Sequence, residues 1–359
     1  MERSRFLPIF LVGVCPALWS GCAGTPTGFP APAPGLPPGA TLWERELSAP
    51  GCMDPLRRAW ACHGLVLLET TGGVLTGLRQ ADGGVVFRLA LGQPVSHGPV
   101  GARGRVALAT LDRLLVVEAA SGTLLLDRPL DVLPSGPPCL GPGQVWLPTL
   151  GPERLVCFSL ATGRRSAGLP PGPPLAAGPV LCEAGNALIV YLTEDGAAVG
   201  RPAAEGRGPS LWETPGVAGP GSLLSASGGM ALICGPLGLL TALGGADGAV
   251  LWMQLPPAAA PAPPVSLGGL VLARSTEGLV CLDAGSGARL WTCPAQLEPV
   301  VLRKDGLYAA AGRSLVRLDP GTGRPTGGWD GAGLHWIRNE TDPGLFGWSE
   351  QGRVIALGE

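Results

Sequence analysis

The feature that most constrains this chain is a hairpin-sized motif that returns along most of its length. Its clearest copy is Leu279-Val280-Cys281-Leu282-Asp283-Ala284-Gly285-Ser286-Gly287-Ala288-Arg289-Leu290-Trp291. Val280 and Leu282 alternate with Cys281 and Asp283, the period of a half-buried strand. Asp283 to Gly287 supplies residues that reverse a chain tightly, and a second strand then carries Trp291. The same cadence recurs around Gly83, Gly122, Gly163, Gly206, Gly248 and Gly323, with Trp252 after Gly248 and Phe87 in the tryptophan slot after Gly83. Successive marker glycines from Gly83 to Gly323 are 39, 41, 43, 42, 39 and 36 residues apart.

A repeat of about forty residues holding several short strands is the period of a propeller blade. The two ends of the repeat array supply the architecture. Gly39-Ala40-Thr41-Leu42-Trp43 keeps the Gly287-to-Trp291 offset with no blade before it. Gly352 to Leu357 matches the strand before the turn, with no outer strand after it. Residues 40–47 are therefore expected to supply the outer strand of the last blade and close a ring. Gly39 and the seven other markers predict an all-β, eight-bladed propeller over 39–359. Seven blades is the alternative, because the repeat around Gly206 is degenerate.

Composition agrees with this pattern. Of 359 residues, 46% are hydrophobic and 14% charged, enough apolar surface to bury between stacked blades. The 58 glycines and 39 prolines would suggest low complexity if they were unpatterned, but the internal glycines fall at turn phases. No 3.6-residue periodicity is sustained after residue 18.

The first 22 residues read as a targeting signal. Arg3 and Arg5 precede an apolar run from Phe6 to Leu18 that is too short for a permanent span. Residues 23–38 are Pro- and Gly-rich, barred from helix and central strand, and read as a semi-rigid tether reaching roughly 50 Å.

Cys52 and Cys62 are close enough in sequence to close a small disulfide loop in an oxidising compartment. Cys139, Cys157, Cys182, Cys234, Cys281 and Cys293 lie mostly in apolar strands and read as buried thiols. Cys157 and Cys281 share a repeat phase with Ala242 and Ala356, a slot for small residues. No CxxC pair exists, so no zinc or other metal site is expected.

His63, His97 and His335 are isolated, and Gly72-Gly73 and Gly244-Gly245 precede no helix that could cradle a phosphate. Glu194-Asp195, Asp283 and Asp319 fall in turns, where capping is their usual work. Net charge is −2 with a pI near 6.0, and Lys304 is the single lysine, which argues against nucleic acid as a partner. Trp146, Trp336 and Trp348 read as core. The Pro-rich connections Pro134–Pro142, Pro170–Pro174 and Pro256–Pro264 are stiff and apolar, and could form a docking rim for another protein.

The repeat (small)-Leu-Asp-x-x-(Ser/Thr)-Gly-x-x-Leu-Trp resembles the quinoprotein-type, or PQQ-like, propeller repeat. Leu18-Trp19-Ser20-Gly21-Cys22 resembles a bacterial lipobox, with Trp19 where an aliphatic residue is usual; ordinary cleavage near Ala23 is the alternative. Together they are similar to the BamB-like lipoproteins of the outer-membrane assembly machinery. That resemblance implies acylation at Cys22, the periplasmic face of the outer membrane, and a monomeric, non-catalytic scaffold for envelope proteins without a cofactor. It also implies that Trp43, Trp252 and Trp291 dock between neighbouring blades. Trp212 and Trp329 are two residues out of phase and fall outside that set. Quinoprotein enzymes add a vicinal disulfide, a calcium cage and a catalytic Asp. This chain has no Cys-Cys pair and only Asn186 and Asn339 as asparagines. A quinone- or small-molecule-binding propeller is the alternative function.

Overall fold

A computed structural model describes residues 41–47, 54–166, 169, 173–184, 186–204, 209–235, 237–255, 262–331 and 333–358. Gly39, Cys22, Cys52, Gly206 and the tether lie outside the described residues. The described residues form eight four-stranded antiparallel sheets. Seven are built from consecutive strands, beginning with Leu56–Cys62, Leu65–Thr70, Val74–Arg79 and Val85–Ala90 in blade 1. The inner strands of blades 2 to 8 are His97–Ala102, Cys139–Gly141, Leu175–Ala184, Leu223–Ser227, Val265–Leu267, Glu298–Arg303 and His335–Ile337.

Blade 8 is completed from the front of the chain. Thr41–Glu46 is its outer strand, antiparallel to Arg353–Leu357, with Trp43 opposite Ala356. Glu44 and Arg353 form an ion pair at 2.7 Å across this junction. The protein is an eight-bladed β-propeller, and the seven-blade alternative is set aside. The degenerate repeat around Gly206 is a full blade whose outer strand, Trp212–Thr214, is merely short.

The core is divided among the seams between blades. The cluster that joins the two ends packs Trp43, Phe346, Val354 and Ala356 of blade 8 against Leu56, Val66, Leu68 and Leu78 of blade 1. Blades 6 and 7 share Leu279, Cys281 and Trp291 with Leu307, Ala309 and Leu318 in the same way. One blade has no complete core of its own, so the apolar surface is buried only when neighbours stack. Closing the ring leaves no blade face unpartnered at the end of the array.

In every blade the second-to-third-strand turn and the connection to the next blade emerge on one face of the ring. The first-to-second and third-to-fourth turns emerge on the other. Thr41 enters on this second face, since it pairs with Leu357 at the end of the third strand.

Candidate functional site

The seams have a repeated geometry that fixes how rigid the ring is. Trp43, Trp252 and Trp291 are each buried to 7% exposure at the outer strand of one blade. Each ring lies on the turn glycine of the next blade. A β-carbon added to Gly83, Gly287 or Gly323 would fall 2.7, 2.5 or 2.4 Å from Trp43, Trp252 or Trp291. Each indole N–H also donates to a carbonyl of that next blade: Gln80 at 2.7 Å, Ala284 at 2.9 Å and Pro320 at 2.8 Å. A tryptophan thus seals a seam by area and orients it by one hydrogen bond.

Trp212 belongs to this set, contrary to the offset argument. Its indole N–H donates to Gly245 at 3.1 Å, and its ring lies 2.4 Å from where a β-carbon on Gly248 would sit. Counting from the turn glycine failed because the turn of blade 4 is longer. Counting across the strand pair succeeds: Trp212 stands opposite Gly200, as Trp252 stands opposite Ala242, Trp291 opposite Cys281 and Trp43 opposite Ala356. The small-residue slot therefore exists to admit the ring.

Blade 7 places Gly327 in the docking slot opposite Arg317. Trp329, two residues on, turns its ring back over Gly327, stacks on Tyr308 at 6.2 Å and lies under the Arg317 guanidinium at 5.8 Å. Blade 3 has an outer strand of two residues, Arg165–Ser166, with no aromatic. Its seam is sealed from the second strand instead, by fully buried Trp146, which donates to Ala203 of blade 4 at 3.2 Å. In blades 1 and 2 the slot holds Phe87 and Leu126, packed on Gly122 and Gly163.

The marker glycines Gly83, Gly122, Gly163, Gly248, Gly287 and Gly323 all have φ between 63° and 73°. Asp283 Oδ1 accepts from the Ser286 N–H at 2.8 Å and hydroxyl at 2.6 Å, and Asp319 does the same with Thr322 at 2.7 and 2.8 Å. These bonds hold both carboxyls below the usual aspartate range. They are turn caps.

Cys62 is a buried thiol at the end of the inner strand of blade 1, pushed up to about 12 by burial; Cys52 lies outside the described residues. The three histidines do not converge. His63 sits in a turn at φ 47°, His97 opens the inner strand of blade 2, and His335 lies against Trp348 in a tilted ring contact at 5.0 Å. Among the described residues, no group of three or more His, Cys, Asp or Glu side chains is placed to hold a metal ion.

The face carrying the blade-to-blade connections is the chemically distinctive surface. Leu111, Leu133, Leu150 and Leu237 stand exposed on it, Leu237 at 86%. Leu133 and Leu150 are held side by side, because the Leu150 N–H donates to the Leu133 carbonyl at 2.9 Å and Pro134 bridges to Thr149. Arg165 flanks this pair and binds both Asp131, at 3.4 Å, and Glu153. The same face holds a cleft of about 360 Å³ at blades 6 to 8, lined among others by Trp336, Arg338, Arg274 and Glu298. Arg274 and Glu298 pair at 2.8 Å in its wall. An apolar patch beside fixed ion pairs on a rigid ring suits recognition of another protein surface.

The family model described as outer membrane protein assembly factor BamB matches residues 35–165 and 186–324. The chain belongs to the BamB family. Among solved structures, the ring is similar to BamB from Moraxella catarrhalis, with a TM-score of 0.65 at 14% identity over 89% of this chain and 100% of that one. It is also similar to the computationally designed Ika8 protein, with a TM-score of 0.62 at 14% identity over 88% and 99% of the two chains. Sqt1 of Saccharomyces cerevisiae follows with a TM-score of 0.58 at 12% identity over 89% and 98%. These likenesses are of fold. No curated protein matches the chain in sequence. Trp212 was legible from the small residue Gly200 before it, whereas no sequence signal marked Trp146 as the seal of its seam.

Proposed function

We propose that this BamB-family propeller is a non-catalytic scaffold of the cell envelope, held to the periplasmic face of the outer membrane by a lipid on Cys22. It docks proteins of the outer-membrane assembly machinery on its connection-bearing face. The observation that carries the reading is the Leu111, Leu133 and Leu150 patch, exposed on loops whose backbones are tied together. Anchoring aliphatic side chains beside a charged rim give an interface both its affinity and its register. Family membership supports protein interaction as the general role.

Photo-crosslinking in intact cells tests the reading. A crosslinker at position 133 or 150 is expected to trap an assembly component, and one at Gly104 on the opposite face to trap none. Equal labelling at all three positions would dismiss the docking face. Mass analysis of the mature N-terminus separately tests the anchor: acylated Cys22 supports it, and an unmodified end at Ala23 overturns it.

A further inference from the structure

Blade 7 departs from the repeat at two positions, and an arginine fills each. The residue opposite the docking slot is small or aliphatic in the other seven blades, as at Gly77, Val116 and Ala242, but is Arg317 in blade 7. The inner strand ends on an uncharged residue in the same seven, as at Cys62, Ala102 and Ser227, but on Arg303 in blade 7. Gly306, at φ 152°, makes room for the first of these side chains, since a β-carbon there would lie 2.8 Å from Arg317 Cγ.

The two guanidiniums lie on a pair of aromatic rings. Arg303 is 5.7 Å from the Tyr308 ring, Tyr308 stacks on Trp329 at 6.2 Å, and Arg317 is 5.8 Å from Trp329. Asp305 is the carboxylate beside them, and its Oδ2 accepts from the Tyr308 hydroxyl at 2.6 Å and from Arg317 Nη1 at 3.2 Å. Burial pushes Asp305 up, but those two bonds and the charge of Arg303 outweigh it and hold the carboxyl below the usual aspartate range. Arg317 also donates from Nε to Thr326 at 3.1 Å, so its charge is matched. Arg303 is not: it is 7% exposed, and its Nε has no hydrogen-bond partner among the described residues. A buried guanidinium without such a partner is costly, and an oxyanion that accepts from its planar fork offsets that cost. Lys304, next in the chain, raises the positive charge of the same turn.

We infer that Arg303, with Lys304 beside it, binds a phosphate oxyanion, of a lipid headgroup or free in solution. The turn that carries both residues joins the first two strands of blade 7, on the face where Thr41 enters at neighbouring blade 8. An anchor at Cys22 keeps headgroups within the roughly 50 Å reach of the tether from that face. The headgroup source therefore rests on the anchor proposed above, whereas the site itself rests on Arg303.

Calorimetric titration of inorganic phosphate at constant ionic strength, into the full chain kept unacylated by Cys22→Ser, is expected to show one site. Arg303→Leu should weaken binding about tenfold or more. Arg303→Lys, which keeps the charge but not the fork, should fall between, and unfolding midpoints show that both variants fold. Arg324→Leu, an exposed arginine in another turn of the same blade, should bind as the parent does. Flotation with phosphatidylglycerol vesicles, against vesicles of a phosphate-free galactolipid, distinguishes the sources. Arg303-dependent flotation with the first alone assigns the headgroup; titration without flotation assigns free phosphate. No binding of phosphate in either form, or equal losses in Arg303→Leu and Arg324→Leu, would overturn the inference. Tighter binding by Glu359→Gln would also overturn it, since a carboxylate of the chain itself would then hold the site. None of these readouts involves positions 133 and 150 or the acylation of Cys22, so failure here is distinct from failure of the proposed function.

Discussion

Replacing Gly287 with alanine isolates what one seam contributes. At φ 69° an L-residue costs about 1–2 kcal/mol more than glycine. The new β-carbon would also lie 2.5 Å from Trp252 Cδ2, well inside the ~3.5–4.0 Å at which carbons attract. Trp252 cannot retreat cheaply, because its indole N–H is bound to Ala284 at 2.9 Å and its ring fills the seam. Overpacking of this kind adds about 1–3 kcal/mol, so Gly287→Ala should lose about 2–5 kcal/mol in all. Gly104 is the control: its φ is 70°, but open space surrounds the added carbon. Gly104→Ala should lose only the conformational ~1–2 kcal/mol. Urea unfolding followed by circular dichroism, with midpoints compared at equal slope, reads the difference. Calorimetry of the same variants guards against loss of cooperativity in an eight-blade array. The double variant Gly287→Ala/Trp252→Ala should lose less than the two single losses combined, since the methyl grows into vacated space. Equal losses for Gly287→Ala and Gly104→Ala would refute the seam geometry.

Trp212→Ala should destabilise the ring as much as Trp43→Ala, by about 3–5 kcal/mol each in thermal or urea unfolding; near-neutrality at Trp212 would return it to the periphery. Asp283 and Asp319 have depressed folded pKa values, so their contribution is complete above the unfolded aspartate value near 3.9 and is lost as pH falls through the folded values. The stability gap between the parent and Asp283→Ala/Asp319→Ala should therefore be open at neutral pH and narrow as pH falls below the unfolded aspartate value. Cys62, Cys182 and Cys281 titrate in the opposite sense, pushed up to about 12 by burial. Stability should hold below the unfolded thiol value near 8.5 and decline as pH rises beyond it. Iodoacetamide at about pH 8 should leave these thiols unlabelled until urea is added.

The fold was legible because its determinants are point constraints. A turn glycine at positive φ and a tryptophan at fixed offset mark each repeat wherever loops keep their length. Where lengths change, the marks slip. Blade 4 lengthens its turn and hides Trp212 from glycine counting, although Gly200 opposite it keeps the phase. Blade 3 shortens its outer strand and moves the seal to Trp146, a residue indistinguishable from core until the neighbouring Ala203 carbonyl is in place. The docking face was legible only as stiff, proline-rich connections. That Leu133 and Leu150 stand exposed together depends on a backbone bond between two loops of different origin, which no local pattern encodes.

The strand Thr41–Glu46 meets its partner some 309 positions later, at Arg353. Nearly the whole polypeptide must be synthesised before that pairing can form, and bringing such distant segments together is slow. Until then the growing chain holds an open seam in which Thr41–Glu46 has no strand to pair with. A chain without Arg353–Leu357 leaves Thr41–Glu46 without its partner strand and the ring unsealed.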